Sequence, residues 1–291
     1  MTPTLETAIR LGCFVGILAL MATWEFLAPR RKLVVKKPLR WASNLALSGL
    51  NSLLLRLAVP LSTVAMAMVA SENRWGLLNQ WQVPPWLAFV LAVVALDLAI
   101  YLQHVLFHAV PILWRLHMVH HADLDFDVTT GLRFHTIEIL LSSAIRLAVV
   151  AALGAGPWSV VVFEVLLNGT SMFNHGNVRL PRAIDRLLRL IVVTPEMHRV
   201  HHSVLVRETN SNFGFNLPWW DFLFGTYRSR PERGHEGMTI GVSHLRDERR
   251  TQPLHRLLLL PFTGSTGDYP LNRRGGENER AGSPKESQSV P

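Results

Sequence analysis

Hydrophobic and polar positions alternate in long blocks along this chain. A first apolar run, from about Ala8 to Ala28, has the length of one membrane-spanning helix. Arg30, Arg31, Lys32, Lys36, Lys37 and Arg40 follow it, which marks that end as cytoplasmic and argues against a cleaved signal peptide. A second span is expected over about Ala42–Ala70, kinked at Pro60 and carrying Arg56. Trp75 and Trp81 then bracket a short external loop, and a third span runs from Trp86 to about His108. Two shorter apolar runs, Ile137–Leu153 and Trp158–Phe173, are divided by the turn signal Gly154-Ala155-Gly156-Pro157. They form either a tight hairpin or a re-entrant pair. Beyond His175 nothing is expected to span. Residues 182–193 pattern as an interfacial amphipathic helix, and the chain from Gly264 onward reads as a disordered tail.

The expected fold is therefore an all-α integral membrane protein. Four to five membrane-embedded helices carry a cytoplasmic helical cap. Anchor helices and a loop occupy 1–85, a catalytic domain 86–260, and the tail 261–291. Counting spans from the basic loop puts the N-terminus outside and every histidine-rich segment on the cytoplasmic side, as in a bacterial inner membrane.

Composition agrees with lipid-facing surface: 49% of residues are hydrophobic and 17% charged, with mean hydropathy +0.21. The excess of 29 basic over 21 acidic residues flanks the apolar runs, which assigns it to topology and anionic headgroups. No basic recognition helix accompanies it, so nucleic acid is not expected as a partner. Thirteen histidines stand against a single cysteine, Cys13, so a metal here must be held by imidazole.

Three patterns concentrate those histidines: His104-Val-Leu-Phe-His108, His117-Met-Val-His120-His121 and His198-Arg-Val-His201-His202. On a helix, i, i+3 and i+4 share a face, so each pattern aims two or three imidazoles at one point. With His175 the set reaches nine, too many for one metal and suited to two. His135 is a tenth candidate, as ligand, outer-shell or substrate-side group. Lone histidines such as His235, His244 and His255 read as ordinary surface or core residues. Asp97, buried in a span and sharing a face with Tyr101 and His104, is a functional candidate. Asp123, Asp125, Asp127, Glu138, Glu196, Asp221 and Asn177 are available to orient imidazoles. Trp219-Trp220-Asp221-Phe222 reads as an interfacial belt or, alternatively, the lining of a lipid entrance.

The ordered set HVLFH, HMVHH, RFHTIE, FNHGN, TPEMHRVHH, NFG and WWDFLFGTY, over roughly residues 86–228, resembles the fatty acid hydroxylase superfamily, which includes the sterol desaturases. That resemblance implies a non-haem di-metal centre, normally iron, using O2 and two electrons to hydroxylate or desaturate a lipid. It also implies the ligands His104, His108, His117, His120, His121, His175, His198, His201 and His202. Thr136 departs from it, standing where relatives often have proline. Zinc is the expected substitute in purified protein, because it binds such sites more tightly than ferrous iron. No cysteine set for an iron–sulfur cluster accompanies the motifs, so a separate reductase or electron carrier is implied. Fatty acyl, sterol-like and other isoprenoid lipids remain open as substrates. The alternatives are a membrane metallohydrolase, which needs a glutamate base within its metal motif where HVLFH, HMVHH and HRVHH have none, and a metal transporter, whose ligands belong at mid-bilayer rather than at span ends. A b-type haem protein fits the adjacent histidines poorly.

Overall fold

The computed structural model describes residues 3–59, 61–81 and 83–272. Among them every regular element is helical, apart from two isolated bridges, Pro29–Val178 and Ser203–Ile240. Outside the cap lie α1 (Pro3–Leu27), α2 (Lys37–Ala58), α3 (Thr63–Glu72), α4 (Leu77–Gln80), α5 (Pro85–Ala109), α7 (Thr136–Leu153) and α8 (Pro157–Asn174). The cap is built from α6 (Pro111–His121), α9 (Arg182–Leu188), α10 (Pro195–His201), α11 (Val206–Thr209), α12 (Trp219–Leu223) and short helices up to Phe262. Among the described residues four stretches are long and apolar enough to cross a membrane: Thr4–Leu27, Lys37–Gln80, Pro85–Ala109 and Thr136–Leu153.

Local chemistry sets the helix ends. Proline occupies the first turn of α5, α6, α8 and α10, where its missing N–H costs no hydrogen bond. Thr194 caps α10 by accepting from the Met197 amide at 3.3 Å. Gly154 ends α7 at φ 69°, and Gly76 lies so close that a Cβ there would come within 2.1 Å of the Gly154 nitrogen. That contact seats the α3–α4 corner on the α7–α8 turn. Both arms of the hairpin are continuous helices of 18 residues, about 27 Å at the helical rise. The two helices are joined by the Gly154–Pro157 turn, and each packs on α3 and α5.

Three expectations shift. The second span is two helices, α2 and α3, separated by residues 59–62; Pro60 itself lies outside the described residues. The interfacial helix stops at Leu188, although Leu187, Leu190 and Ile191 remain exposed as an interfacial face requires. Residues 264–272, expected as the start of a tail, pack against the cap instead. Tyr269 is buried, stacks on Trp114 at 5.4 Å, accepts from the Ser243 amide and donates to Val204 O. The Leu271 and Asn272 amides donate to the carbonyls of His108 and Ala109 at the end of α5. Low hydrophobicity suggested disorder there, but one aromatic anchor and two backbone bonds outweigh it. The rest of the expected tail, 273–291, lies outside the described residues.

The loop between α6 and α7 buries several charged and polar side chains. Asp123, Asp127, Thr129 and Thr130 are buried there, and Arg40 of α2 reaches in among them with no exposed surface. Its Nε donates to Asp123 at 2.6 Å and its Nη2 to Thr130 at 2.9 Å, while Nη1 pairs with Asp127. Arg133 ties the same loop to Val119 O, Thr251 O and Asn44. Removing one partner from such a network leaves a buried charge uncompensated.

Candidate metal centre

α5 ends at Ala109 and α6 begins at Pro111, so a single residue joins two helices that fold back on each other. His104 and His108, four residues apart on α5, thereby face His117 and His121 on α6. α10 and the end of α8 close the other side. The result is nine buried histidines in two groups, His104–His108–His117–His121–His201 and His120–His175–His198–His202, with the candidate ligand atoms of each group within 4.8 Å of one another. Each HxxHH motif is split. His117 and His121 enter one group and His120 the other; His198 and His202 enter the second and His201 the first. The expectation that each motif serves one point holds for His104 and His108 and is corrected for the two HxxHH motifs: adjacent helical residues diverge by about 100°, so the two histidines of an HH pair serve different groups.

The outer nitrogens fix the tautomers. His104 Nδ1 donates to Phe213 O at 2.7 Å, His201 Nδ1 to Ser211 O at 2.7 Å, and His117 Nδ1 to Glu138 Oε1 at 2.6 Å. Each partner accepts only, so each Nδ1 carries the hydrogen and each Nε2 is a bare lone pair. Yet His104 Nε2 lies 3.1 Å from the Nε2 atoms of both His117 and His201. The second group repeats the pattern. His175 and His120 donate through Nδ1 to Ser171 O and Arg133 O, leaving their Nε2 atoms 3.1 Å apart. His198 and His202 bring their Nε2 to 3.2 Å from that of His175, with no Nδ1 partner to fix their tautomers, so the facing lone pairs are those of His120 with His175 and of His104 with His117 and His201. Facing lone pairs at this separation repel unless a cation lies among them. Protonation is the other remedy, and burial opposes it. Desolvation pushes His120, His121, His198, His201 and His202 well below the ordinary histidine range and His175 down to about 3. The neutral form, which ligates metal, prevails at pH 7.

Of the carboxylates read as orienting groups, only Glu138 bonds an imidazole of either group directly. Asp123 and Asp127 serve Arg40. Asp125 accepts from the amides of Val34 and Val35. Glu196 pairs with Arg30, Arg199 and His235 on the cap surface. Asp221 acts one step removed, accepting from the Phe213 and Gly214 amides at 2.8 and 2.9 Å and so fixing the carbonyl that holds His104. Asp97 accepts from Trp220 Nε1 at 2.8 Å and holds the Trp219–Leu223 helix against α5. Asn177 pairs with the backbone of Arg31. None of these last three touches an imidazole.

His135 belongs to neither group. It caps α7, accepting from the Ile137 amide through Nδ1 and donating through Nε2 to Leu258 O. Thr136, beside it, donates to Asn51 Oδ1 at 2.7 Å, a bond to α2 that proline has no group to make. Sequence reasoning missed Asn210, whose Oδ1 accepts from His108 Nδ1 at 3.1 Å. It also missed the carbonyls of Ser171, Ser211, Phe213 and Arg133. Gly131 was missed too: a Cβ there would lie 2.6 Å from Ser171 O and 3.2 Å from His175 Nδ1.

A cavity of about 960 Å³ between α1, α2, α5, α7 and α8 ends at this cage, with His104, His117, Phe134 and Phe215 in its wall. Buried nitrogen donors beside a cavity walled by long apolar helices define a membrane protein whose histidine clusters could hold metal.

The comparisons with known proteins identify which kind. The Fatty acid hydroxylase family model matches residues 89–226. The ornithine lipid hydroxylase OlsE of Rhizobium tropici is 30% identical over 255 residues, covering 84% of this chain and 75% of that protein. The chain belongs to the fatty acid hydroxylase superfamily. Human alkylglycerol monooxygenase is 30% identical over 166 residues, 55% of this chain and 34% of that protein. Rat cholesterol 25-hydroxylase is 29% identical over 137 residues, 46% of this chain and 45% of that protein. This chain thus spans about a third of the alkylglycerol monooxygenase and under half of the cholesterol hydroxylase. No solved structure matches it. The relatives are lipid hydroxylases and monooxygenases, which makes an oxidative, lipid-modifying enzyme the coarse class.

Proposed function

We propose that this protein is an O2-dependent membrane hydroxylase of a polar lipid, with two iron ions held by nine histidines. His104, His108, His117, His121 and His201 hold one, and His120, His175, His198 and His202 the other. The observation that carries this reading is the set of bare Nε2 lone pairs facing one another at 3.1 Å in both groups, His104 with His117 and His201 in the first and His120 with His175 in the second. Among divalent first-row metals imidazole donors suit iron, copper, nickel and zinc, and zinc is the substitute to expect in a recombinant sample. Bound there, a redox metal pair supplies the O2 activation that no side chain provides.

The chain's own residues do the rest. Glu138 and the carbonyls of Phe213, Ser211, Ser171 and Arg133 hold the imidazoles in the ligating tautomer. Phe134, stacked on His120 at 4.4 Å, and Phe215 line the junction of cage and cavity and keep it poor in water. The cavity brings a substrate C–H bond to the His104 and His117 side. Hydroxylation is favoured over desaturation by the relatives, which are hydroxylases and a monooxygenase. A relative matching 84% of this chain is an ornithine lipid hydroxylase, which favours a lipid with a polar headgroup over a sterol. The basic segment between α1 and α2 supports a cytoplasmic cage, and a bacterial inner membrane is the matching location. A separate reductase or small carrier is the proposed electron donor.

Metal content tests the reading. Anaerobically purified, iron-supplemented protein is expected to hold near two metals per chain. The double variant His120→Ala with His201→Ala is expected to lose most of both. One metal or none in the unaltered protein overturns the dinuclear reading and reopens hydrolase and transporter chemistry.

A further inference from the structure

The cavity has a second end. Glu138, Ser142 and Arg146 follow one another at four-residue steps on α7 and all face it. Glu138 belongs to the cage, so Arg146 lies about 12 Å farther along the helix axis by the rise per residue. Among the described residues Arg146 makes no hydrogen bond or ion pair, and its Nε is buried. The other charges nearby are differently placed. Arg10 pairs with both Glu6 and Glu164, and Glu164 also accepts from Thr63 Oγ1 at 2.6 Å. Arg56 lines the same cavity, is exposed and, among the described residues, makes no ion pair. Both glutamates are thus committed to Arg10, leaving this end of the cavity with positive charge to spare. Gln103, which donates to Ser142 Oγ at 3.0 Å, leaves its Oε1 without a donor on the same wall.

An unpaired guanidinium inside a membrane-spanning helix is costly and marks a ligand or counter-ion contact. Its planar fork of donors matches carboxylate and phosphate oxygens. We propose that Arg146 anchors the anionic group of the substrate lipid, a carboxylate or a phosphate, and so sets how far from that group the oxidised carbon lies. This rests on the cavity being the substrate chamber, and it narrows the substrate class to acidic or zwitterionic amphiphiles.

The test is binding of hexadecanoate, hexadecyl phosphate and hexadecanol to the full-length protein in neutral detergent, read by native mass spectrometry. Metal content is measured on the same samples. Unaltered protein is expected to bind at least one of the two anions about tenfold or more tighter than the alcohol, the scale of one charge-assisted contact. The tighter of the two identifies the anion. Arg146→Met is expected to bind all three at the alcohol's level with metal content unchanged, and Arg146→Lys to keep part of the preference. Equal binding of acids and alcohol by the unaltered protein overturns the anchor, whether or not Arg146→Met folds. Full acid preference in Arg146→Met does the same. Loss of the dinuclear reading shows only in the metal content, so the two failures are distinguishable.

Discussion

The two histidine groups differ in what holds them and in what they face. The five-histidine group is oriented by side chains as well as backbone, through Glu138 on His117 and Asn210 on His108, and two of its members line the cavity. The four-histidine group is oriented by the carbonyls of Ser171 and Arg133 alone. In it His198 and His202 leave Nδ1 buried without a partner, and Phe126 packs within 5.4 and 5.1 Å of His175 and His202. An anionic partner raises imidazole basicity and a carbonyl does so less. Tuning is thus concentrated on the cavity side, while the inner group is held by neutral dipoles and packing.

The strongest way to break this comparison is to alter two neighbours that belong to opposite groups. His201→Ala and His202→Ala are each expected to reduce lipid hydroxylation to background. Metal content should fall from near two to near one per chain, with a different metal lost in each case. If either variant loses both metals, the groups are one cage and the distinction fails. Glu138→Gln comes next in size. It keeps the shape and removes the charge on His117, so metal affinity or turnover is expected to fall about 10- to 100-fold. An unchanged enzyme would mean that the carboxylate does no tuning.

Acidification separates the cage from ordinary acid unfolding. Burial holds the folded histidines below their unfolded value of 6.5, His175 at about 3. Between those pH values the unfolded chain binds more protons than the folded one. Stability of the metal-free protein should therefore be full above about pH 6.5 and decline as pH falls toward 3. Melting curves of chelator-treated protein across that window check the sign, and a melting temperature that rises on acidification contradicts it.

Long-range pattern was legible in the sequence, and local direction was not. Apolar runs fixed α1, α5 and the α7–α8 hairpin because each is a one-dimensional property of the chain. The nine histidines stood out because imidazole at helical spacing beside a membrane span is chemically conspicuous. The division of HxxHH between two groups needed the α5–α6 fold-back, which one proline-marked joint creates and no spacing rule reports. The orienting carbonyls were invisible because backbone oxygens carry no residue signature. Arg40 was read as a topology-setting charge, yet its position at the start of α2 places it over a loop of aspartates 83 to 87 residues away. Tyr269 was hidden among polar residues whose composition mimics disorder.

The smallest expected effect concerns His135, which shares the ligands' chemistry but stands outside both groups. As an N-cap it supplies one acceptor to α7, so His135→Ala should cost about 1 kcal/mol of stability, the scale of a lost cap. His135→Asn restores a side-chain acceptor at the same position and should recover most of that loss. Neither variant should change the number of metals bound, because the His135 nitrogens are directed at the Ile137 amide and Leu258 O. A ligand behaves differently: both substitutions would lower metal content, and the capping ability of asparagine would not rescue it. Measuring stability and metal together on the two variants therefore decides between nine histidines and ten. It also bounds the five-histidine group on the side where α7 begins.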